Sequence, residues 1–257
     1  MGQGDCSLIK WEGAAALIDC GEAEYADTVL NYLKNQGVEK LDYIIASHPH
    51  SDHMGGMSEI IENVEVGKVI APRVSAEMTP TSKAYERFTA ALRDKALKLT
   101  AAKPGTVYSL SGRTAEATEK TPPKLEILSP VNDYDDLNNY SVTVKLTYGT
   151  TSYLFTGDIE KEAENDILES GADISADVLK IAHHGSSSST GEEFYGAVSP
   201  EICVIQCGEG NSYGHPHADT VKLLEANGAK VYRTDVNGTV MVYSDGDEIL
   251  VRTEKGD

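Results

Sequence analysis

The histidines constrain this 257-residue chain more than any other feature. All seven fall in three short clusters, at 48, 50 and 53, at 183 and 184, and at 215 and 217. Histidines that merely filled a core or dotted a surface would be scattered. Each cluster also follows a run that reads as a strand: LDYIIAS (41–47), DVLKIA (177–182) and EICVIQCG (201–208). Side chains at the carboxyl ends of several strands can converge on one crevice at a sheet edge. The fold must therefore bring strands far apart in sequence to a common end.

The rest of the pattern supplies such a fold. Short strands are expected at 6–9 and 14–19, around the turn Trp11-Glu12-Gly13. A helix is expected over 24–36, with Tyr25, Val29, Leu30 and Leu33 on one face and Gly37 just past its end. Further helices are expected at 55–62, 81–98, 160–170 and 218–227, and further strands at 68–72, 124–130, 141–149, 151–158, 230–235, 239–246 and 248–253. The polar stretch 111–124, with Pro122-Pro123, reads as a surface loop inside one domain spanning 1–257. Strands and helices alternate in both halves, which predicts an α/β protein with two sheets face to face and helices outside, an αββα sandwich.

His48-Pro49-His50-Ser51-Asp52-His53 carries the densest chemistry. In an extended segment residues i and i+2 point the same way, so His48 and His50 can address one ion. Asp52 and His53 can then serve a neighbouring ion. Imidazole and carboxylate together suit zinc first, and also manganese or iron. Asp158, in Thr156-Gly157-Asp158 at the end of a strand, offers a carboxylate able to bridge two metals. His183 and His184 are adjacent, and in an extended chain adjacent side chains diverge, so one is expected to be a ligand and the other to handle substrate or protons. The serine run that begins at Ser186 reads as a solvated loop or a phosphate cradle. His215 and His217 add a ligand or a catalytic group.

Composition narrows the partners. With 41 acidic and 22 basic side chains the net charge is −19, which disfavours loose adhesion to nucleic acid or anionic membranes. Bound cations would add local positive charge that composition does not count. No apolar run reaches the roughly 18 residues a membrane span needs, and residues 1–10 do not read as a signal peptide. Cys6, Cys20, Cys203 and Cys207 form no C-x-x-C pair and are expected to be free thiols.

Taken together, these motifs resemble the metallo-β-lactamase superfamily, whose fold is an αββα sandwich. The H-x-H-x-D-H motif matches His48, His50, Asp52 and His53; Asp19 matches an early acidic position, Asp158 the bridging aspartate and His215 the last metal histidine. The chain is more closely similar to the C-terminal hydrolase domain of ComEC-type competence proteins. That similarity runs through Gly2-Gln3-Gly4-Asp5, Ser47–His53, Asn138-Asn139-Tyr140-Ser141, Phe155–Asp158, Leu179–Ser186 and Tyr213–His217. Phosphorylcholine esterases of the same superfamily share part of it. Two departures stand out. No histidine lies between 53 and 183, where the superfamily has one; Asn139 and Ser141 occupy that region, and His183 is expected to substitute. The strand that normally precedes Gly-Gln-Gly-Asp is also missing, so the domain is expected to lack its first strand.

The resemblance implies two divalent ions, zinc first and manganese second. His48, His50, His183 and Asp158 would hold one, and Asp52, His53, His215 and Asp158 the other. Asp19 would orient a ligand histidine, while His184, His217 or Tyr213 would give a proton to the leaving oxygen. Phosphodiester hydrolysis is the chemistry two metals suit best, with single-stranded DNA as the substrate the resemblance implies and a larger membrane protein as the context. The rival readings are a small ester, such as a phosphorylcholine ester or a lactone, and a non-catalytic metal-binding domain.

Overall fold

The computed structural model describes residues 2–114 and 120–256. The first half starts with a hairpin, β1 (Ser7–Trp11) and β2 (Ala14–Ile18), followed by α1 (Ala26–Asn35) and β3 (Lys40–Ile45). Two short helices, α2 (Ser51–Met54) and α3 (Met57–Asn63), lead to β4 (Glu65–Ala71), α4 (Lys83–Asp94) and β5 (Leu99–Ala101). These strands form one sheet in the order β1-β2-β3-β4-β5, parallel from β2 onward.

The second half runs through β6 (Val107–Ser109), β7 (Lys124–Ile127), β8 (Val144–Tyr148), β9 (Thr151–Phe155) and α5 (Lys161–Glu169). It continues with β10 (Val178–Lys180), α6 (Glu192–Val198), β11 (Ile202–Ile205), α7 (Ala218–Ala226), β12 (Lys230–Arg233) and α8 (Thr234–Asn237). Its sheet has the order β12-β11-β10-β9-β8-β7-β6, with β9 to β12 parallel. A separate hairpin, β13 (Val240–Ser244) with β14 (Ile249–Thr253), ends the described chain.

Strand alternation builds the layers. In β2, Ala14, Ala16 and Ile18 face the second sheet, where they meet Leu125, Ile127, Val144 and Val178. Their neighbours Ala15 and Leu17 face outward, onto a core shared with Val29, Leu33, Ile60 and Phe88 of the flanking helices. The second sheet repeats the plan: Leu154, Leu179 and Cys203 pack outward on Ile167, Phe194 and Leu224. Helix, sheet, sheet and helix layers follow, the αββα arrangement the pattern predicts. All four cysteines are free, as expected. No described helix is long and apolar enough to cross a membrane.

Several boundaries differ from the sequence reading. The helix expected over 81–98 stops at Asp94, and Leu99–Ala101 becomes the edge strand β5. The helix expected at 55–62 is α3, Met57–Asn63, and a further short helix not expected from the sequence, α2, starts at Ser51 directly after His50. The strand β6 has no counterpart in the sequence reading, because three residues carry too little alternation to reveal it. Part of the stretch 111–124, residues 115–119, lies outside the described residues.

Candidate metal centre

The carboxyl ends of β2, β3, β9, β10 and β11 all point to one end of the sandwich, and the polar residues follow them. Asp19 follows β2, His48 to His53 follow β3, Asp158 follows β9, His183 and His184 follow β10, and Gln206 follows β11. Asp5, just before the antiparallel β1, arrives from the opposite direction.

Asp19 organises the β3 loop. It is buried, its backbone is left-handed (φ 56°), and its Oδ1 accepts the Ser47 amide at 2.7 Å. Oδ2 accepts both the Ser47 hydroxyl at 2.6 Å and His53 Nδ1 at 2.9 Å. Because the Ser47 proton goes to Asp19, Ser47 Oγ accepts from His48 Nδ1 at 3.1 Å. Both His48 and His53 thereby carry their proton on Nδ1 and turn Nε2 to the site. His48 Nε2 lies 2.9 Å from His50 Nδ1, two ring nitrogens converging on one point. Ser141 ties the two halves together: its Oγ accepts the Asp158 amide at 3.0 Å and stands 3.2 Å from His48 Nδ1.

The second focus is a knot of Asp52, His53, Asp158 and His184, whose candidate ligand atoms all lie within 4.8 Å of one another. His53 Nε2 is 3.1 Å from Asp158 Oδ2, and His184 Nε2 is 3.4 Å from that same oxygen and 3.3 Å from Asp52 Oδ2. His184 Nδ1 donates to the Gln206 carbonyl at 3.0 Å, which fixes its ring with Nε2 inward.

Here the sequence reading needs correcting in its premise. His183 and His184 are not extended; both are left-handed, with φ of 48° and 54°. They therefore do not simply diverge, and the buried His184 enters the knot. His183 stands further out, with Nε2 at 4.0 Å from Asp158 and Nδ1 at 3.2 Å from Glu160. His215 is likewise outside the knot, its ring centre 6.1 Å from that of His184. His217 Nδ1 accepts from the Ser187 amide at 2.9 Å. Tyr213 is exposed and stacked on His215. Asn139 faces away, accepting the Glu160 amide and donating to Glu162, so it steadies the start of α5. The Ser186 hydroxyl pairs with Ser188 within its own loop.

Two residues entered the sequence reading only inside family motifs and were given no role there. Lys180 and Asp5 form a buried ion pair, and Lys180 Nζ also donates to the Gly157 carbonyl at 2.9 Å. Asp5 Oδ1 lies 3.2 Å from His184 Nδ1, and Lys180 Nζ 3.8 Å from Asp158 Oδ1. A lysine inside DVLKIA, at the inward position two after Val178, was the signal. Gly4 permits the contact: a Cβ there would sit 2.3 Å from the Asp52 carbonyl oxygen.

The electrostatics follow from crowding. Burial alone would lift Asp158, but His53 and His184 outweigh it and hold its carboxyl well below the ordinary range. Burial alone would depress His53 and His184, yet the carboxylates dominate: Asp158 and Asp19 raise His53, and Asp158 and Asp5 raise His184. For His48, burial and the neighbouring His53 outweigh the pull of Asp158 and Asp52, so it is pushed well down and stays neutral. Burial, then the neighbouring His184, His183 and His217, lower His215 to about 4.

The buried carboxylates Asp5, Asp19 and Asp158, with the half-buried Asp52, outnumber the one permanently charged cation among the described residues of the site, Lys180. His53 Nε2, Asp158 Oδ1 and Asp5 Oδ1 are buried without a hydrogen-bond partner. Such orphan atoms cost roughly 1–3 kcal/mol each, more when charged. A nitrogen and carboxylate donor set with excess negative charge and unsatisfied atoms fits divalent cations.

The sequence profile described as the metallo-beta-lactamase superfamily matches residues 1–208. The chain belongs to the metallo-beta-lactamase superfamily. Within it, the sequence is 31% identical over 213 residues to ComE operon protein 3 of Bacillus subtilis (strain 168), a match covering 82% of this chain and 26% of that protein. Competence protein ComA of Neisseria gonorrhoeae is 28% identical over 243 residues, 93% of this chain and 30% of that protein. Recombination protein 2 of Haemophilus influenzae is 29% identical over 255 residues, 94% of this chain and 28% of that protein. This superfamily domain thus spans under a third of each of these ComEC-type relatives. Among solved structures, Igni18, a metallo hydrolase from Ignicoccus hospitalis, superposes with TM-score 0.54 at 17% identity, covering 98% of this chain and 96% of its own. That likeness supports the fold.

Proposed function

We propose that this domain is a two-metal phosphodiesterase that cleaves DNA, single-stranded DNA above all. The observation that carries the reading is the double focus: His48 Nε2 facing His50 Nδ1 at 2.9 Å, beside Asp52, His53, Asp158 and His184 gathered within 4.8 Å. His48 and His50 would hold one ion, Asp52, His53 and His184 the other, with Asp158 reaching both. Zinc suits these donors best, with manganese second. Such ions supply a nucleophile from water near neutral pH and neutralise charge on the attacked phosphoryl group.

The chain's own residues do the positioning. Asp19 and Ser47 hold His53 and His48 in the tautomer that leaves Nε2 free, which also raises their basicity. Ser141 fixes Asp158 relative to His48. Lys180 and Asp5 keep the Asp158 turn and His184 in place from behind. A groove of about 530 Å³ opens beside His50 and runs past Met78 and Leu137, giving a substrate room to lie against the first focus. DNA is favoured among diesters because relatives bear the names competence protein and recombination protein. With a net charge of −19, the domain would bind DNA weakly and depend on other parts of a longer protein, membrane-embedded in this reading, for delivery.

The test is an assay of metal-stripped protein on bis-p-nitrophenyl phosphate and single-stranded DNA, with zinc or manganese restored and Asp158→Asn as control. Cleavage of both that returns with metal and is lost in the variant is the expected result. Cleavage of the small diester alone would remove DNA as substrate, and no turnover despite bound metal would sink the phosphodiesterase reading.

A further inference from the structure

The histidines of this site differ in what their Nδ1 atom touches, and that difference sorts them. His53 Nδ1 donates to Asp19 and His184 Nδ1 donates to the Gln206 carbonyl, so in the neutral form of both rings Nε2 keeps the lone pair a metal needs. His215 has the reverse arrangement. Its Nδ1 lies 3.2 Å from Gln3 Nε2, and Gln3 Oε1 accepts the Gly208 amide at 3.1 Å. A backbone N–H can only donate, so the Gln3 oxygen must face Gly208 and its NH2 must face His215. Nδ1 of His215 is then an acceptor, and the single proton of the neutral ring sits on Nε2. His217 is fixed the same way, because its Nδ1 accepts the Ser187 amide at 2.9 Å.

We infer that His215 and His217 are not metal ligands but a fixed pair of Nε2–H donors that bind an anionic oxygen of the substrate beside the metal centre. This deepens the phosphodiesterase reading and rests on it for the identity of the anion, a phosphoryl oxygen. The two rings are neighbours, with centres 4.9 Å apart, and His215 stands 5.6 Å from His183. Among the described residues, neither Nε2 has a protein acceptor. The backbone around His215 is braced on both sides. Asn211 Oδ1 accepts the His215 amide at 3.0 Å, and Asn211 Nδ2 donates to the His215 carbonyl at 2.6 Å. Tyr213 covers the His215 ring with centres 5.7 Å apart and planes 21° from parallel, so the ring has little freedom to flip.

The test uses the zinc-loaded protein with inorganic phosphate as the probe. Imidazole nitrogen NMR of the wild type should place His215 and His217 Nδ1 in the unprotonated range and Nε2 in the protonated range, opposite to the protonation at Nδ1 of His53 and His184. His215→Phe and His217→Phe should retain the zinc content of the wild type and bind phosphate roughly tenfold more weakly, the loss of about one hydrogen bond. His184→Ala, in contrast, should lose zinc. A protonated Nδ1 on His215 or His217, zinc lost from either phenylalanine variant, or phosphate affinity unchanged in both would overturn the inference. If the tautomers, zinc contents and phosphate affinities come out as stated but the wild type cleaves no phosphodiester, the donor pair stands and the diester reading alone falls.

Discussion

The loops after β3 and β10 deliver histidines to one place by opposite backbone routes. The β3 loop leaves an extended residue, His50, for the short helix α2, so His48 and His50 share one side and Asp52 and His53 come round on the next turn. The β10 loop instead places two successive non-glycine residues, His183 and His184, in the left-handed region. Such residues are costly unless the surroundings hold them there, and they concentrate at functional sites. The first loop is held by one carboxylate, Asp19, acting on neighbours close in space and charge. The second is held from several directions: Gln206 and Asp5 on His184, Glu160 on His183, and Glu164 on the Thr190 and Gly191 amides beyond. A loop with local periodicity can be read from sequence, whereas a loop in strained conformation is defined by what braces it.

The largest expected effect tests that bracing. Lys180→Met would leave Asp5 buried without its cation, and unfolding in urea should show a loss of about 4 kcal/mol. Adding Asp5→Asn should restore most of it. If the single variant is as stable as wild type, the β10 loop does not depend on the pair.

His184→Ala should cut zinc content and lower kcat/KM at least about a hundredfold, the upper end of the cost of losing even an outer partner of a ligand. His183→Ala should keep its zinc. Elemental analysis of both proteins decides, and equal zinc loss would erase the distinction drawn between the adjacent rings.

Gly157→Ala sharpens the comparison at the point where the two loops meet. Gly157 has φ 55°, and an added Cβ would lie 2.8 Å from Ser141 Cβ and 2.9 Å from Ser47 Cβ. A cost of about 2 kcal/mol is expected from the backbone strain and the overlap, read as a fall in Tm.

The smallest effect is a pH slope. Burial raises Glu164 from its ordinary 4.5 to about 7, against the Gly191 and Thr190 amides that would lower it. Because the folded value exceeds the unfolded one, its contribution is full below the unfolded value and is lost as pH rises through the folded value. Stability should therefore drop by about 1 kcal/mol between pH 6 and 7 from this group. Denaturation of Glu164→Gln over that range should lack the slope.

How much of this was legible beforehand varies residue by residue. His48, His50, Asp52 and His53 could be read because six consecutive residues carry the pattern. Asp19 could be matched only through family resemblance, since one aspartate after a strand says nothing by itself. Lys180 was visible as a charge within a buried strand, but its partner Asp5 lies 175 positions away, and no periodicity links them. Asn139 and Ser186 drew attention as polar residues near motifs, and the fold uses them to steady α5 and a loop.

By itself the sequence determined the alternation of strands and helices that makes the layers, the place of most of those elements and the clustering of metal-type side chains at strand ends. Those depend on local spacing, with a period of two in strands and three to four in helices. Only the tertiary structure decided which of His183 and His184 enters the knot and what sits on each Nδ1. It also decided which carboxylate faces Lys180. These are contacts between segments far apart in the chain, and a ring's usable nitrogen is set by the partner that the other nitrogen meets in space.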